Sequence, residues 1–221
     1  MSRIVVKLGG AVAADAAVVV QRLALTHEVC VVHGAGPQIS AELERAGLEV
    51  RFVDGRRVTT PAALELVRKS FAAVNRAVCA AIGPGAVPLF GDEIGLEAVR
   101  IPELGYVGAP VPSRPRAVEL VLGAGFVPVV APLAAGPLNV NADEAAAALA
   151  VGLGADRLLF VSDVPGLLLG GGVAAAIAAD EAERLLDAGE LGGGIVPKLR
   201  AAVLASRQGV DAAIGATAVV A

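Results

Sequence analysis

Strand-like and helix-like segments alternate along most of this 221-residue chain, and no other feature limits its fold as strongly. Short β-branched runs, such as residues 4–6 and 29–32, indicate buried strands. A long helical pattern at residues 61–82 has a threonine before it for the N-cap and a proline at its first position. Alternating β and α segments form a largely parallel sheet with helices on both faces. The sequence therefore predicts an α/β protein.

The other predicted elements continue this alternation, apart from a hairpin-like insert at residues 97–116. Further strands are predicted at residues 87–90, 127–131 and 157–161, and helices at residues 13–25, 37–46, 116–123, 141–152, 181–188 and 198–208.

The composition is unusually apolar, with 56% hydrophobic residues and a mean hydropathy of +0.71. The longest uncharged stretch, residues 120–142, contains three prolines, so no continuous membrane-spanning helix fits it. The net charge of −4 and the lack of a long basic run argue against nucleic acid as the main partner. Two cysteines without metal-ligand spacing and a start without a leader pattern favour a cytoplasmic protein.

Glycine-rich turns follow the first two predicted strands. Lys7 and the Gly9-Gly10 pair come after the first, and His33-Gly34-Ala35-Gly36-Pro37 comes after the second. Neither turn matches the Walker loop or the dinucleotide fingerprint. Because ligands of such sheets bind beyond the carboxyl ends of the strands, the two turns together predict a phosphate-binding edge. Alone, a Lys-Gly-Gly segment is also typical of an ordinary tight turn.

Two lysines and one aspartate are the candidates for catalysis. Lys7 follows the first strand, Asp143 ends an Asn-x-Asn-x-Asp segment, and Lys198 follows three glycines. Phosphoryl transfer needs cations on the transferred group and an anion that organises the lysines or a metal. A carboxylate acceptor needs no general base, so the lack of an obvious catalytic His or Ser agrees with such an acceptor. Read singly, Asp143 could belong to a helix cap, Lys198 to the surface, and Arg56-Arg57 to an exposed pair.

Six segments, in order, make this sequence similar to the amino acid kinase family, over about residues 4–210. They are Val5-Val6-Lys7-Leu8-Gly9-Gly10, Val32-His33-Gly34-Ala35-Gly36-Pro37-Gln38, Gly55-Arg56-Arg57-Val58-Thr59, Asn139-Val140-Asn141-Ala142-Asp143, Ser162-Asp163-Val164-Pro165-Gly166-Leu167 and Val196-Pro197-Lys198. Gly105-Tyr106-Val107-Gly108 further resembles members that act on N-acetyl-L-glutamate. One departure is Ala35, which stands where the family usually has the middle of three glycines.

The resemblance implies an open three-layer αβα sandwich with a mainly parallel central sheet, as in carbamate kinase-like folds. It implies an N-terminal lobe (1–135) for the acyl amino acid and for dimerisation, and a shortened C-terminal lobe (136–221) for nucleotide. The implied reaction is ATP-dependent phosphorylation of the side-chain carboxylate of N-acetyl-L-glutamate, a step of arginine biosynthesis. ATP would carry the Mg²⁺, so no metal ligand from the protein is expected.

The resemblance also assigns roles residue by residue. Lys7 and Lys198 would stabilise the transferred phosphoryl group, and Asp143 would hold both lysines. Arg57 and Asn139 would bind the α-carboxylate of the substrate, and Gly9, Gly10 and Gly36 would donate backbone N–H groups. The full set of implied substrate-binding residues is Gly34, Ala35, Gly36, Arg57, Asn139 and Asn141. The implied nucleotide- and phosphate-binding residues are Gly9, Gly10, Asp163, Val164, Pro165, Gly166, Leu167, Leu168 and Gly192.

Two other functions stay open on the sequence. One is a kinase for a related carboxylate, the carrier-linked aminoadipate of lysine synthesis. The other is a non-catalytic ligand sensor, which the short stretch between Gly166 and Lys198 would suit, although the presence of both lysines and Asp143 argues for an enzyme. Hexameric members of the family carry an extra helix before the first strand. This sequence begins at that strand, so we expect a homodimer.

Overall fold

The computed structural model describes residues 1–9 and 14–221, and only the backbone of residues 14 and 15. The strands are β1 (Arg3–Leu8), β2 (Glu28–His33), β3 (Phe52–Val53), β4 (Arg56–Arg57), β5 (Ala86–Phe90), β6 (Ala98–Arg100), β7 (Val107–Pro110), β8 (Val127–Ala131), β9 (Leu133–Ala134), β10 (Leu138–Val140), β11 (Arg157–Val161), β12 (Leu168–Leu169), β13 (Gly172–Val173), β14 (Ala176–Ala178), β15 (Asp211–Ile214) and β16 (Thr217–Val220). The helices are α1 (Ala14–Ala24), α2 (Gly36–Arg45), α3 (Pro61–Ile82), α4 (Gly91–Ile94), α5 (Arg116–Gly123), α6 (Ala142–Gly152), α7 (Ala179–Asp187) and α8 (Ile195–Arg207), with a 3-10 turn at Pro102–Leu104.

The central sheet, as far as the described residues show it, has eight strands in the order β14-β16-β15-β11-β1-β2-β8-β5. All neighbours pair in parallel except β15 and β16, which pair antiparallel. Strands β2, β8 and β5 lie on one side of β1, and the strands from β11 onward lie on the other. The predicted mainly parallel sheet is therefore confirmed.

Two separate apolar clusters cover the two faces of this sheet. Ile4, Val6 and Leu8 face a cluster formed with α1, α2 and α3, whereas Val5 faces a second cluster formed with α5 to α8. The alternation follows from the period of two along a strand. Burying each such side chain contributes about 1.5–3 kcal/mol. Helices on both faces make the molecule the three-layer αβα sandwich that the resemblance implied.

Several predicted boundaries agree with the structure because local signals set them. The Thr60 side chain accepts a hydrogen bond from the Ala63 N–H (3.2 Å) and Pro61 starts α3, so this helix has its predicted range. The ranges of α5, β8 and β11 are also as predicted. In contrast, α8 starts three residues before Lys198, which therefore lies in the first turn of the helix.

The insert at residues 97–116 contains the predicted hairpin, because β6 and β7 pair antiparallel. It also joins β10 and β9 in a second sheet, which the sequence did not predict. Among the helices in residues 1–9 and 14–221, none is long and apolar enough to cross a membrane. Cys30 is buried inside the main sheet, and burial raises the pKa of its thiol to about 12, so the thiol is unreactive.

Candidate active site

Lys7 lies at the carboxyl end of β1, in the middle of the central sheet, and the Gly34-Ala35-Gly36 turn lies at the carboxyl end of the neighbouring β2. β1 connects through α1 to β2 on one side, while β11 lies on its other side. Chain connections thus leave this point in opposite directions, which opens a crevice above the strand ends. The candidate site is built from the loops and helix ends around that crevice.

A cluster of two lysines and one aspartate forms the charged centre of the site. Lys7 Nζ is 2.9 Å from Asp143 Oδ1, and Lys198 Nζ is 3.8 Å from Asp143 Oδ2. All three residues are buried. The sequence separates them by up to 191 positions, so their convergence is a property of the fold.

Each member of this cluster is positioned by its own element. Lys7 projects from the end of β1, and Asp143 lies in the first turn of α6. Lys198 lies in the first turn of α8, and its Nζ also donates a hydrogen bond to the Gly194 carbonyl (3.1 Å). Burial lowers the pKa of Lys198, whereas Asp143 opposes that shift. Two cations share one carboxylate, so the cluster carries an excess positive charge that favours an anion.

A cavity of about 230 Å³ opens beside this cluster, and its size suits a small molecule. Lys7 and Asp143 form part of its wall. The rest of the wall includes every residue that the resemblance assigned to substrate binding: Gly34, Ala35, Gly36, Arg57, Asn139 and Asn141. The structure therefore brings these residues together beside the lysine cluster.

Arg57 is one of three cationic residues in the cavity wall, with Lys7 and Arg56. An Arg-Arg pair could have been exposed, but Arg57 is buried. It is only 6% exposed. Its Nη2 donates to the Gly36 carbonyl (3.0 Å) and to Ser40 Oγ (2.8 Å), and its guanidinium lies over the Phe52 ring. Its Nη1 is buried and has no hydrogen-bond partner within the described part of the chain. A buried N–H without a partner is costly, and a carboxylate ligand in the cavity would supply the acceptor.

The two asparagines of the Asn-x-Asn-x-Asp segment have different local partners. Asn139 Nδ2 donates to Thr59 Oγ1 (3.0 Å), which in turn donates to the Arg57 carbonyl (2.8 Å). Asn141 is the N-cap of α6, because its Oδ1 accepts from the N–H groups of Asp143 (2.8 Å) and Glu144 (3.3 Å). The helix-cap interpretation of this segment is thus correct for Asn141, and the same cap orients Asp143.

Comparisons with known proteins give this arrangement a family. The sequence model of the amino acid kinase family matches residues 2–215. The chain belongs to the amino acid kinase family. It is 43% identical to the acetylglutamate kinase of Rubrobacter xylanophilus, over 97% of this chain and 88% of that protein, and 38% identical to that of Gluconobacter oxydans, over 83% and 70%.

Solved structures agree with this membership. The crystal structure of smu.665 from Streptococcus mutans superposes with a TM-score of 0.90 at 26% identity, covering 99% of this chain and 98% of that one. Carbamate kinase from Giardia lamblia bound to AMP-PNP shares the fold, with a TM-score of 0.68 at 14% identity over 99% and 98% of the two chains.

The glycines of the two turns have different surroundings in this amino acid kinase. The Gly9 N–H donates to the Val161 carbonyl (3.0 Å), because it continues the β1–β11 ladder, and its donation to a phosphate stays a prediction. Gly9 does allow a close approach, since a Cβ there would lie 3.3 Å from Ser162 Cβ. Gly36 is the first residue of α2, where N–H groups have no partner within a helix. Gly10 lies outside the described residues.

Apart from Gly9 and Gly10, the residues implied for nucleotide binding lie at two places. Asp163, Val164, Pro165, Gly166, Leu167 and Leu168 follow β11 and lead into the β12–β13 hairpin. Thr217 fixes this segment by accepting from the Leu167 N–H (2.9 Å). Asp163 lies close enough to Lys198 to oppose, to a small extent, the lowering of the Lys198 pKa by burial. Gly192 instead lines a larger cavity of about 830 Å³ between α6 and α8. Their role in nucleotide binding stays a prediction.

Sequence reasoning missed two groups of residues at this site. Phe52 and Phe71 contribute apolar wall to the small cavity. Arg56 is held by Glu144, which is 88 positions away. The β3–β4 hairpin that carries Phe52 and Arg56 had a usable signal, since Asp54-Gly55 is a typical two-residue hairpin turn. No local signal pointed to Glu144.

His33 lies under the cavity wall, with its ring edge-to-face against Phe71 at 6.0 Å between centroids. Burial lowers its pKa to about 4, with Lys7 adding to the shift, so the imidazole is neutral near pH 7. Within the described residues, no three His, Cys, Asp or Glu side chains form a group that could hold a metal ion.

Proposed function

We propose that this chain is an acetylglutamate kinase, which transfers the γ-phosphoryl group of MgATP to the side-chain carboxylate of N-acetyl-L-glutamate in arginine biosynthesis. The observation that carries the proposal is the pairing of a buried Lys7–Asp143–Lys198 cluster with a cavity containing the buried Arg57. The two acetylglutamate kinases named above, at 43% and 38% identity, support this choice of acceptor.

The geometry suits in-line transfer between two anions. An acceptor carboxylate oxygen attacks the γ-phosphorus while the bond to the β,γ-bridging oxygen breaks, and ADP leaves with that electron pair. A carboxylate at neutral pH is already deprotonated, so no protein base is needed. Lys7 and Lys198 supply the positive charge that the transferred group needs, and Asp143 keeps both ammonium groups at one point.

The acceptor side provides orientation. Arg57 Nη1 lacks a partner and can donate to the α-carboxylate of an acyl amino acid. Asn139 lies on the same wall and is fixed through Thr59 to the backbone of Arg57. Holding the α-carboxylate at this end leaves the side-chain carboxylate to reach the lysine cluster.

We further propose that the molecule has one lobe for the acceptor and one for the nucleotide. Residues 1–135 supply β1, β2, β5 and β8 together with most of the small cavity, which supports an acceptor lobe there. Residues 136–221 supply Asp143, Lys198 and the segment after β11, which supports a nucleotide lobe with Mg²⁺ carried by ATP. We also propose that the protein is a homodimer in the cytoplasm.

Trapping the acyl phosphate as a hydroxamate tests the function. The purified protein is incubated with ATP, Mg²⁺ and hydroxylamine, and with N-acetylglutamate, glutamate, aspartate or aminoadipate in parallel. We expect hydroxamate with N-acetylglutamate at a kcat/KM well above that with the other acceptors. Preference for another carboxylate would reassign the acceptor, and no product with any of them would support the ligand-sensor alternative.

A further inference from the structure

The β3–β4 hairpin carries two neighbouring arginines whose side chains have different partners. Both contribute to the wall of the small cavity. Arg56 points to α6, where its Nε lies 3.1 Å and 3.2 Å from the two carboxylate oxygens of Glu144. Its Nη2 lies 3.1 Å from Glu144 Oε1, and the two side chains are 28% and 25% exposed. This is a half-buried, two-pronged ion pair.

Glu144 is the direct neighbour of Asp143 in the first turn of α6. The first turn of α6 therefore contacts the lysine cluster through Asp143 and the β3–β4 hairpin through Glu144. The N-cap adds a second link, since Asn141 Nδ2 donates to the Gly55 carbonyl at the hairpin tip (3.0 Å).

The hairpin needs such links because it has little structure of its own. Each of its strands is two residues long, far below what an isolated hairpin needs for stability. Behind it lies the cavity of about 830 Å³, and Asp54, Gly55 and Arg56 form part of that cavity's wall. The hairpin therefore has open space on that side, where little packing could hold it.

We propose that the Arg56–Glu144 ion pair is a latch that positions the β3–β4 hairpin, and with it Arg57, relative to the lysine cluster. Arg56 and Glu144 are positioning residues in this proposal, because their charged groups pair with each other and not with the members of the lysine cluster. This inference rests on the proposed function for its kinetic consequence. Without this ion pair the hairpin can move, so Arg57 no longer binds the acceptor from a fixed position. Lys7, Lys198 and Asp143 stay in place.

The kinetic test uses Glu144→Gln and Arg56→Met, with Glu28→Gln as the matched control. Glu28 pairs with Arg3 at 2.7 Å, and those side chains are 20% and 26% exposed, but the pair lies at the opposite end of the sheet. We expect KM for N-acetylglutamate to rise roughly three- to tenfold in both latch variants, as loss of a half-buried pair would give. We expect kcat and KM for ATP to stay within about twofold, and Glu28→Gln to change none of the three.

Charge reversal separates a latch from general damage. Arg56→Glu places two carboxylates together and should raise KM for the acceptor more than Arg56→Met does. Adding Glu144→Arg to that variant restores an ion pair of opposite polarity, so KM should return part of the way to the wild-type value. A double variant no better than the worse single variant would contradict the latch.

Hydrogen exchange of the amides of residues 52–57 tests the latch without any substrate. We expect faster exchange in Glu144→Gln than in the wild type, and no change in Glu28→Gln. Unchanged exchange together with unchanged KM would overturn the inference. If the wild type forms no hydroxamate, the proposed function fails, and the exchange result still decides whether the latch holds the hairpin.

Discussion

The two halves of the candidate active site differ in whether a carboxylate lies beside their buried cations. In the phosphoryl half, Lys7 and Lys198 share the carboxylate of Asp143. In the acceptor half, Arg57 is equally buried, yet its partners are a carbonyl, a hydroxyl and an aromatic ring. Among the described residues, the two buried lysines therefore have a carboxylate counter-ion, whereas the buried Arg57 has none.

This difference indicates which half is assembled before the ligands arrive. Asp143 holds the lysines together in the free protein, so their positions do not depend on phosphate. The guanidinium of Arg57 has lost water without gaining a carboxylate, and this burial lowers its pKa. An anionic acceptor would remove that penalty on binding. We therefore propose that charge serves catalysis in one half and recognition in the other, and kinetic experiments test this division.

The largest effect is expected from the lysines. Lys7→Met or Lys198→Met should lower kcat roughly 10²–10³-fold, because each removes a fixed charge from the transferred group. KM for the acceptor should change little. The chain's other lysine, Lys69, is exposed on α3, and Lys69→Met is the matched control with wild-type kinetics. Steady-state kinetics decide the matter, and a lysine variant that raises only KM would break the comparison.

An intermediate effect is expected from Arg57. Arg57→Met should raise KM for N-acetylglutamate roughly 10- to 100-fold, the usual value of a charged hydrogen bond, with a smaller change in kcat. Arg57→Lys should restore little, because an ammonium cannot copy the planar fork of donors. Arg51→Met, at an exposed site just before the hairpin, provides the control. Equal losses in kcat and kcat/KM would instead place Arg57 with the phosphoryl half.

The smallest effect concerns His33, which lies beneath the acceptor half. It is measured as a change in the free energy of unfolding. Its pKa is about 4 in the folded protein and near 6.5 when unfolded, so the unfolded chain binds the proton first. Stability is therefore lost as pH falls from 6.5 toward 4, by about 2 kcal/mol at pH 5. Urea unfolding at pH 7 and pH 5 should show a larger difference for the wild type than for His33→Asn. Equal differences would mean that His33 has the same pKa in the native and the unfolded state.

How far the sequence could predict this molecule depended on the range of each signal. Thr60 and Pro61 predicted the start of α3, and the apolar run of residues 127–131 predicted β8. Both succeed because neighbouring residues determine helix caps and buried strands. The site residues came from ordered motifs, although the Gly9 N–H turned out to be used within the sheet. Glu144 could not be predicted, since its link to Arg56 exists only after residues 88 positions apart have been folded together.

β1 is hydrogen-bonded to β2 on one edge and to β11 on the other, and it carries Lys7 at its end. Lys7 pairs with Val32 on one edge and with Phe160 on the other, so two ladders of backbone hydrogen bonds hold its position. For the proposed function, this means that a rigid strand end, and not a loop, presents the Lys7 ammonium group to the transferred phosphoryl group.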